Sequence, residues 1–451
     1  MAGAGEVSGK GWHATPQARE GDRMKLTIIG GASAYTPDII LGLLQDHALY
    51  AGGELCLHDI DGANLRVIER LARALVRAAG ADLRVTATLD RAEAITGSRF
   101  ILTQPRVGGL QHRALDEKIP LKHGLIGQET LGLGGFAFAW RTIPVMLEIV
   151  EEVQRLAPEA WIINYANPAG MVTEAVIRRF PDARFIGLCD MPTGLQWAIG
   201  RLLRVDYRRI ALDYAGINHG GWVSRVLLDG EDVTARLRRW AAALGPVASL
   251  LPLGEQTGTV RLFRQHGMVP DPYLRYYYYK DQILKKLLRA ERTRAEFLIE
   301  RVQQLYRHYA DVAGQEQPVL KEHRGHPAHS DLASQVIAAM AANRPTRFVI
   351  QQRGAGAVRH LPPEEAAQFS AIVDGSGWTP IPQPALPRKE AELIARIKAS
   401  ETLNVRAAME GDRSLAVEAA ELNPLGAPRP LAEKVVDELL AAHRKYLPQF
   451  A

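Results

Sequence analysis

Apolar residues first gather in "KLTIIGG", a short run closed by two glycines, after which the spacing changes. "TPDIILGLLQDH" carries its apolar residues at helical intervals behind Pro37, and proline suits a first helical turn because the N–H it lacks would have no partner there. A second strand, "ELCLHDID", follows, then a helical segment from Asn64 to Ala79 stopped by Gly80. Short apolar runs at "LRVTAT", "RFILTQ", "AWIINY" and "RFIGLCD" alternate with further helical stretches. Such alternation predicts an α/β fold, a Rossmann-like doubly wound parallel sheet whose ligands sit at the carboxyl ends of the strands. The polar motifs of the chain fall at those ends.

After about Met191 the rhythm shifts to longer helices, a few strands around "RFVIQQ" and "FSAIVD", and a Pro-rich stretch from Pro380 to Pro387. This predicts a second domain of mixed α+β type. The expected division is a leader over 1–23, a nucleotide-binding domain over 24–190 and the mixed domain over 191–451. Asp281 to Val312 reads as one long amphipathic helix with a structural role, and Leu431 to Leu447 as a closing helix of the same kind.

With 451 residues, 47% of them hydrophobic and 23% charged, the chain is long enough to build more than one core. Its 55 Lys and Arg exceed its 50 Asp and Glu by only five, and the arginines are scattered, which argues against nucleic acid as a partner. Only two cysteines occur, Cys56 in a strand-like run and Cys189 beside Asp190, so no disulfide framework is expected and a reducing, cytoplasmic setting fits. No apolar stretch approaches the roughly 18 residues of a membrane helix, and the first residues lack the apolar core of a signal peptide. No membrane association is expected.

A nucleotide pyrophosphate needs a tight turn that offers backbone N–H groups, followed by the partial positive charge of a helix N-terminus. Gly30 and Gly31 suit such a turn. The full G-x-G-x-x-G pattern is absent, because Ala32 and Tyr35 stand where its second and third glycines belong. Asp59, at the end of the second strand, would accept both ribose hydroxyls and repel a 2′-phosphate, favouring NAD over NADP. Taken alone, these residues fit a dinucleotide site and a plain glycine turn with a surface Asp about equally well.

Four further segments carry more polar residues than a turn requires: "RVGGLQHRALDEKIPLKHGLIGQETLGLGG", "NYANPAG", "GLCDMP" and "GINHGGW". Singly, Cys189 reads as a small buried hydrophobe and His219 as a satisfied polar residue. Together, a thiolate and an imidazole suit a borderline divalent metal and leave positions for substrate oxygens. In this order, with "GGASAYTP" ahead of them and "PYLRYYYY" behind, the segments resemble glycoside hydrolase family 4, the NAD- and metal-dependent glycosidases, from about Met24 to the C-terminus.

The resemblance implies a hydrolase of 6-phosphoglucosides, foremost a 6-phospho-β-glucosidase, that binds NAD and a divalent metal such as manganese. It implies Gly30, Gly31, Ser33 and Asp59 at the cofactor, Cys189 and His219 as metal ligands, Tyr273 as catalytic base and Asp190 as an assisting acid. Arg113, Asn167 and Arg294 would hold the sugar and its phosphate, since guanidinium groups match phosphate bidentately. Without the resemblance, Tyr273 reads as a packing residue in an aromatic cluster. The implied route takes hydride from C3 of the sugar, removes the acidified C2 proton, expels the aglycone from C1, adds water and returns the hydride. A homodimer or homotetramer is expected.

Two departures bear on the substrate. The β-specific members, which this chain otherwise resembles most, carry Asn after the metal cysteine, whereas Asp190 gives the "CDMP" form of the 6-phospho-α-glucosidases. The segment "RGHPAHS" around His329 and "RGAGAV" from Arg353 differ from the family's loops, which leaves a different or unphosphorylated glycoside open. From another class, an NAD-dependent 2-hydroxy acid dehydrogenase shares the nucleotide domain. It needs a His and Asp relay without metal, and the segment around Cys189 and His219 has the wrong spacing for one. A non-catalytic NAD-binding protein remains if Tyr273 and Cys189 lie away from the nicotinamide.

Overall fold

The computed structural model describes residues 23–250, 254–324 and 327–451, so the leader, Arg23 apart, lies outside the described residues, as does the side chain of His329. Six strands come first: β1 Lys25–Ile29, β2 Gly53–His58, β3 Leu83–Thr88, β4 Phe100–Thr103, β5 Trp161–Asn164 and β6 Phe185–Gly187. They pair in parallel in the order β3-β2-β1-β4-β5-β6, the order of a doubly wound dinucleotide-binding sheet. The strands read from the pattern are all present. The buried positions of β1, β2 and β4 run nearly continuously because both faces are covered by crossover helices, whereas the edge strand β3 is mostly half-buried.

The sheet does not stop at β6. It continues through β7 Ile210–Ile217, β8 Gly220–Leu228, β10 Val269–Pro270, β11 Thr346–Arg353 and β12 Ala366–Asp374, in the order β6-β11-β12-β7-β8-β10. β9 Glu231–Asp232 pairs with β8, and β13 Gly377–Pro380 with β12. All these added pairings are antiparallel, giving thirteen strands in one sheet among the described residues. The junction is a single residue pair, Gly187 with Gln351. A Cβ at Gly187 would stand 2.4 Å from Thr173 Oγ1 on the helix beneath and 3.0 Å from Gln351 Cβ across the junction, so glycine suits this close approach.

Three expectations need correction. Asp281 to Val312 is not one helix but two, Lys280–Leu288 and Arg294–Val312. The break is set by Thr293, whose hydroxyl caps Glu296 N–H while the Glu296 carboxylate accepts Thr293 N–H, a reciprocal cap legible in "TRAE". Second, the helix Gly132–Leu156 is long and apolar enough by length and composition to cross a membrane, although no such stretch was expected. It is a core helix: Phe136, Trp140, Ile143 and Met146 pack against Val405, Val417 and Leu439 of the C-terminal helices. Third, the longest hairpin, β7 with β8, was not among the strands expected. It is buried on both faces, so "IALDYAGI" carries no alternation to mark it.

The closing helix spans Arg429–His443 and continues as a 3₁₀ turn over Arg444–Tyr446. Under the parallel strands, Leu26, Ile28, Leu55, Leu57 and Ile68 form a core shared with Leu305 and Tyr309 of the Arg294–Val312 helix. That helix therefore belongs to the floor of the nucleotide half although it lies far along the chain.

Candidate active site

The first turn after β1 is tied down from two sides. The N–H groups of Gly30 and Gly31 both donate to His58 O at 2.9 and 2.8 Å, and Ala32 N–H donates to Asp59 Oδ2 at 2.9 Å. Gly30 has φ of +87° and a Cβ there would lie 2.8 Å from the carbonyl carbon of Gln104, so close approach of two chain segments requires glycine. From the opposite side Tyr306 hydroxyl donates to Ala32 O and Tyr309 hydroxyl to Ala34 O. Behind the turn the helix Thr36–Leu44 starts with Pro37 in its first turn, as the sequence pattern has it. Its N-terminus and the turn open onto one cavity of about 340 Å³.

That cavity runs from Gly30, Ser33 and Tyr306 to Asn167, Cys189, Asp190, His219 and Tyr273. Cys189 and Asp190 lie in the short loop between β6 and the helix Met191–Leu203, at the carboxyl edge of the parallel sheet. His219 comes from the other half of the molecule, at the two-residue turn of the β7–β8 hairpin, with φ of +61°. The antiparallel extension of the sheet brings the two together, and Cys189 Sγ lies 3.5 Å from His219 Nε2. Asp190 Oδ1 is 3.9 Å from the same sulfur.

Tyr273 follows β10 in a 3₁₀ turn capped by Asp271, whose Oδ1 accepts Tyr273 N–H at 2.9 Å and whose Oδ2 accepts the Tyr214 hydroxyl at 3.1 Å. The Tyr273 ring stacks on the His219 imidazole with centroids 3.9 Å apart and planes 13° apart.

Burial governs the electrostatics of this end. Burial holds His219 neutral, its pKa lowered to about 4, which leaves the imidazole able to ligate. Burial, then the charges of Asp190 and Asp271, pushes the Cys189 thiol well up. Burial, then Tyr276 and Glu129, raises Tyr273 as well. Ionising either group calls for a positive charge close by. A separation of 3.5 Å suits two ligands that each lie roughly 2.1–2.3 Å from one ion. Among the described residues no group of three or more His, Cys, Asp and Glu side chains stands placed to hold an ion, so Cys189 and His219 would leave coordination positions open.

The arginines are placed unequally. Arg113, on the helix Gly109–Lys122, is buried between Glu117 at 2.8 Å and Glu129 at 2.9 Å. Arg294 is exposed at the start of its helix, 5.0 Å over the Phe297 ring, and lines a second cavity. The two cavities share Tyr35, Arg113, Glu129, Asp190, Tyr273 and Arg324. Gly31 and Asp59 line neither; Asp59 sits at the end of β2 with its carboxylate bonded to Ala32 and Asp61 N–H groups. Each of its oxygens retains a lone pair for a ribose hydroxyl.

Several residues of the site were not singled out from the sequence. Glu129 and Thr130 belong to "GQET", a segment noted as a motif without a role for either. Burial opposes ionisation of Glu129, but Arg106 and Arg113 outweigh it and pull its pKa down to about 2. Arg324 stacks at 4.9 Å over Tyr35 and carries the positive charge of the shared wall toward the turn. A lone arginine in "KEHRGH" gives no sign of this, because its place over Tyr35 depends on the packing of two segments far apart in the chain.

Residues 25–205 match the family described as "Family 4 glycosyl hydrolase" and residues 214–426 its C-terminal domain. The chain is 34% identical over 444 residues to the 6-phospho-beta-glucosidase of Escherichia coli (strain K12), covering 95% of this chain and 97% of that protein. Among solved structures, the 6-phospho-beta glucosidase of Thermotoga maritima, with manganese, NAD+ and glucose-6-phosphate, superposes with a TM-score of 0.83 at 28% identity, covering 94% of this chain and 99% of that one. A 6-phospho-alpha-glucosidase from gut microorganisms, in complex with NAD and Mn2+, gives 0.85 at 27%, covering 95% and 100%. The two halves of the sheet, joined at Gly187 and meeting again where Cys189 faces His219, thus make up a single glycosidase: this chain is a member of glycoside hydrolase family 4.

Proposed function

We propose that the protein hydrolyses 6-phosphoglucosides, with 6-phospho-β-glucosidase activity foremost, through oxidation at C3, loss of the C2 proton, elimination of the aglycone and addition of water. The observation that carries this reading is one cavity with a nucleotide turn at one end and Cys189, His219 and Tyr273 within contact of each other at the other end. NAD would supply a hydride acceptor that is restored in each cycle, and a divalent metal such as manganese, held by Cys189 and His219, would polarise the oxygens on C2 and C3. Relatives whose structures contain NAD and Mn2+ support both cofactors.

In this reading the chain's own residues divide the work. Tyr273 takes the C2 proton, and its stack on His219 holds the phenol beside the metal position. Asp190 donates to the leaving oxygen. Gly30 and Ser33 face the cofactor, Gly31 shapes the turn behind them, Asp59 takes the ribose hydroxyls, and Asn167 holds the sugar. Arg113 and Arg324 stand where the two cavities join, Arg294 lines the second cavity, and together they would attract an anionic group there. A second reading, a 6-phospho-α-glucosidase, is favoured by Asp190 after the cysteine. Turnover of paired α- and β-linked nitrophenyl glucoside 6-phosphates, with NAD and manganese supplied, tests the proposal and chooses between the anomers. Inactivity on both phosphorylated pairs alongside turnover of an unphosphorylated glucoside would overturn the substrate class.

A further inference from the structure

Gln128, Thr130 and His219 form a hydrogen-bonded chain whose first member is oriented by the backbone. Two main-chain N–H groups, those of Thr130 at 2.6 Å and Leu131 at 2.9 Å, point at one terminal atom of the Gln128 side chain. An N–H can only donate, so that atom is the amide oxygen rather than the amide nitrogen. The Thr130 hydroxyl lies 3.1 Å from the same oxygen, which can only accept, so in that contact the hydroxyl is the donor. With its proton there, the hydroxyl turns a lone pair to His219 Nδ1, 2.9 Å away. Nδ1 must carry the ring proton. The bare nitrogen is then Nε2, the one that stands 3.5 Å from Cys189 Sγ. All three side chains are buried, so water does not compete for these bonds.

We propose that Thr130 is a positioning residue for the metal site: its hydroxyl accepts the Nδ1 proton of His219 and so fixes the tautomer and ring orientation that present Nε2 as a ligand beside Cys189. The proposal rests on the reading of Cys189 and His219 as metal ligands. A histidine at the tip of a two-residue turn has little backbone packing to hold its ring, and a second bond at Nδ1 is what removes the freedom to flip or to place the proton on Nε2. The stacked Tyr273 fixes the plane of the ring but is blind to which nitrogen carries the proton.

The test compares wild type, Thr130→Val and Thr130→Ser as full-length protein. Mn2+ affinity is read from the electron paramagnetic resonance of the free ion, and NAD affinity and thermal midpoint are measured alongside. Thr130→Val, nearly the same shape without the hydroxyl, should weaken Mn2+ binding by about 10–100-fold. NAD affinity should stay put, and Thr130→Ser should restore most of the metal affinity. Unchanged Mn2+ binding in Thr130→Val would overturn the role. If that variant fails to fold, the 15N shifts of His219 in metal-free wild type decide: a protonated Nδ1 upholds the proposal and a protonated Nε2 overturns it. Failure of the wild type itself to bind Mn2+ would instead remove the metal reading from which the role derives, a result distinct from any difference among the three proteins.

Discussion

The imidazole of His219 and the phenol of Tyr273 lie parallel, 3.9 Å between centroids, although 54 positions separate them in a chain whose hairpin and 3₁₀ turn bring each in from its own direction. In the proposed function this contact would couple a metal ligand to a base. A cation held by His219 would stand next to the ring whose hydroxyl is to lose its proton, and would work against the burial that raises the Tyr273 pKa.

Tyr273→Phe preserves the ring and its stack while removing the hydroxyl, so fold, NAD binding and Mn2+ binding should persist. Hydrolysis should fall by about 10²–10⁴-fold, the usual contribution of a positioned acid or base. During turnover in heavy water the wild type should place deuterium at C2 of the product and the variant should lose most of that exchange. Wild-type product without deuterium at C2 would rule out elimination.

Activity should require NAD in catalytic amount with no build-up of NADH, because hydride returns to C3 before product leaves. Exhaustive chelation should abolish turnover and manganese should restore it, as expected of an ion with only two protein ligands. Absorbance at the NADH band during steady state, and activity after dialysis against chelator, check the two halves of this statement. NADH produced mole for mole with product would point to a net oxidation.

Phosphate recognition is best probed away from Arg113. Removing that buried side chain takes an ion-pair partner from both Glu117 and Glu129, which would keep Ala295 N–H and Arg106 respectively; breaking a buried pair typically costs about 3–5 kcal/mol in stability and would obscure any effect on binding. Arg324→Gln and Arg294→Gln leave no such carboxylate pair and should raise KM for a phosphorylated substrate much more than for its unphosphorylated analogue. A charged hydrogen bond of about 1.5–3 kcal/mol sets the size of the difference. Equal changes in KM on both substrates would show that no phosphate is read by these residues.

Asp271 should make stability depend on pH. Burial, only partly offset by Tyr273 N–H and the Tyr214 hydroxyl, raises its pKa to about 7. The folded state then holds a proton that the unfolded chain releases near its ordinary pKa of 3.8, so this group's contribution to stability falls as pH rises from about 4 through 7. Asp271→Asn keeps an oxygen for Tyr273 N–H without the charge. Its thermal midpoint relative to wild type should be clearly higher at pH 8 than at pH 5. A difference independent of pH would mean that Asp271 stays ionised throughout.

Local pattern alone was enough for the nucleotide half. β1 to β6, Pro37 in its helical turn and the glycine turn before it all follow from short-range rules, because period, turn chemistry and capping are encoded within a few residues. The motif residues were legible for the same reason, and the family resemblance supplied roles that single residues such as Tyr273 could not. The capping box at Thr293 was equally readable, and overlooking it made two helices into one.

What tertiary structure alone decided is everything that depends on two distant segments meeting. No local rule says that β11 pairs with β6 through Gly187, that β7 and β8 extend the same sheet, or that their turn carries His219 to Cys189. The apolar length of Gly132–Leu156 is the same in a membrane and in a core, and only the C-terminal helices packed against it distinguish the two. Arg113 and Arg324 look alike as letters, yet one is locked between two carboxylates and the other stacks on Tyr35. A charge takes its function from its neighbours, and these neighbours are chosen by packing across the whole sheet rather than by spacing along the chain.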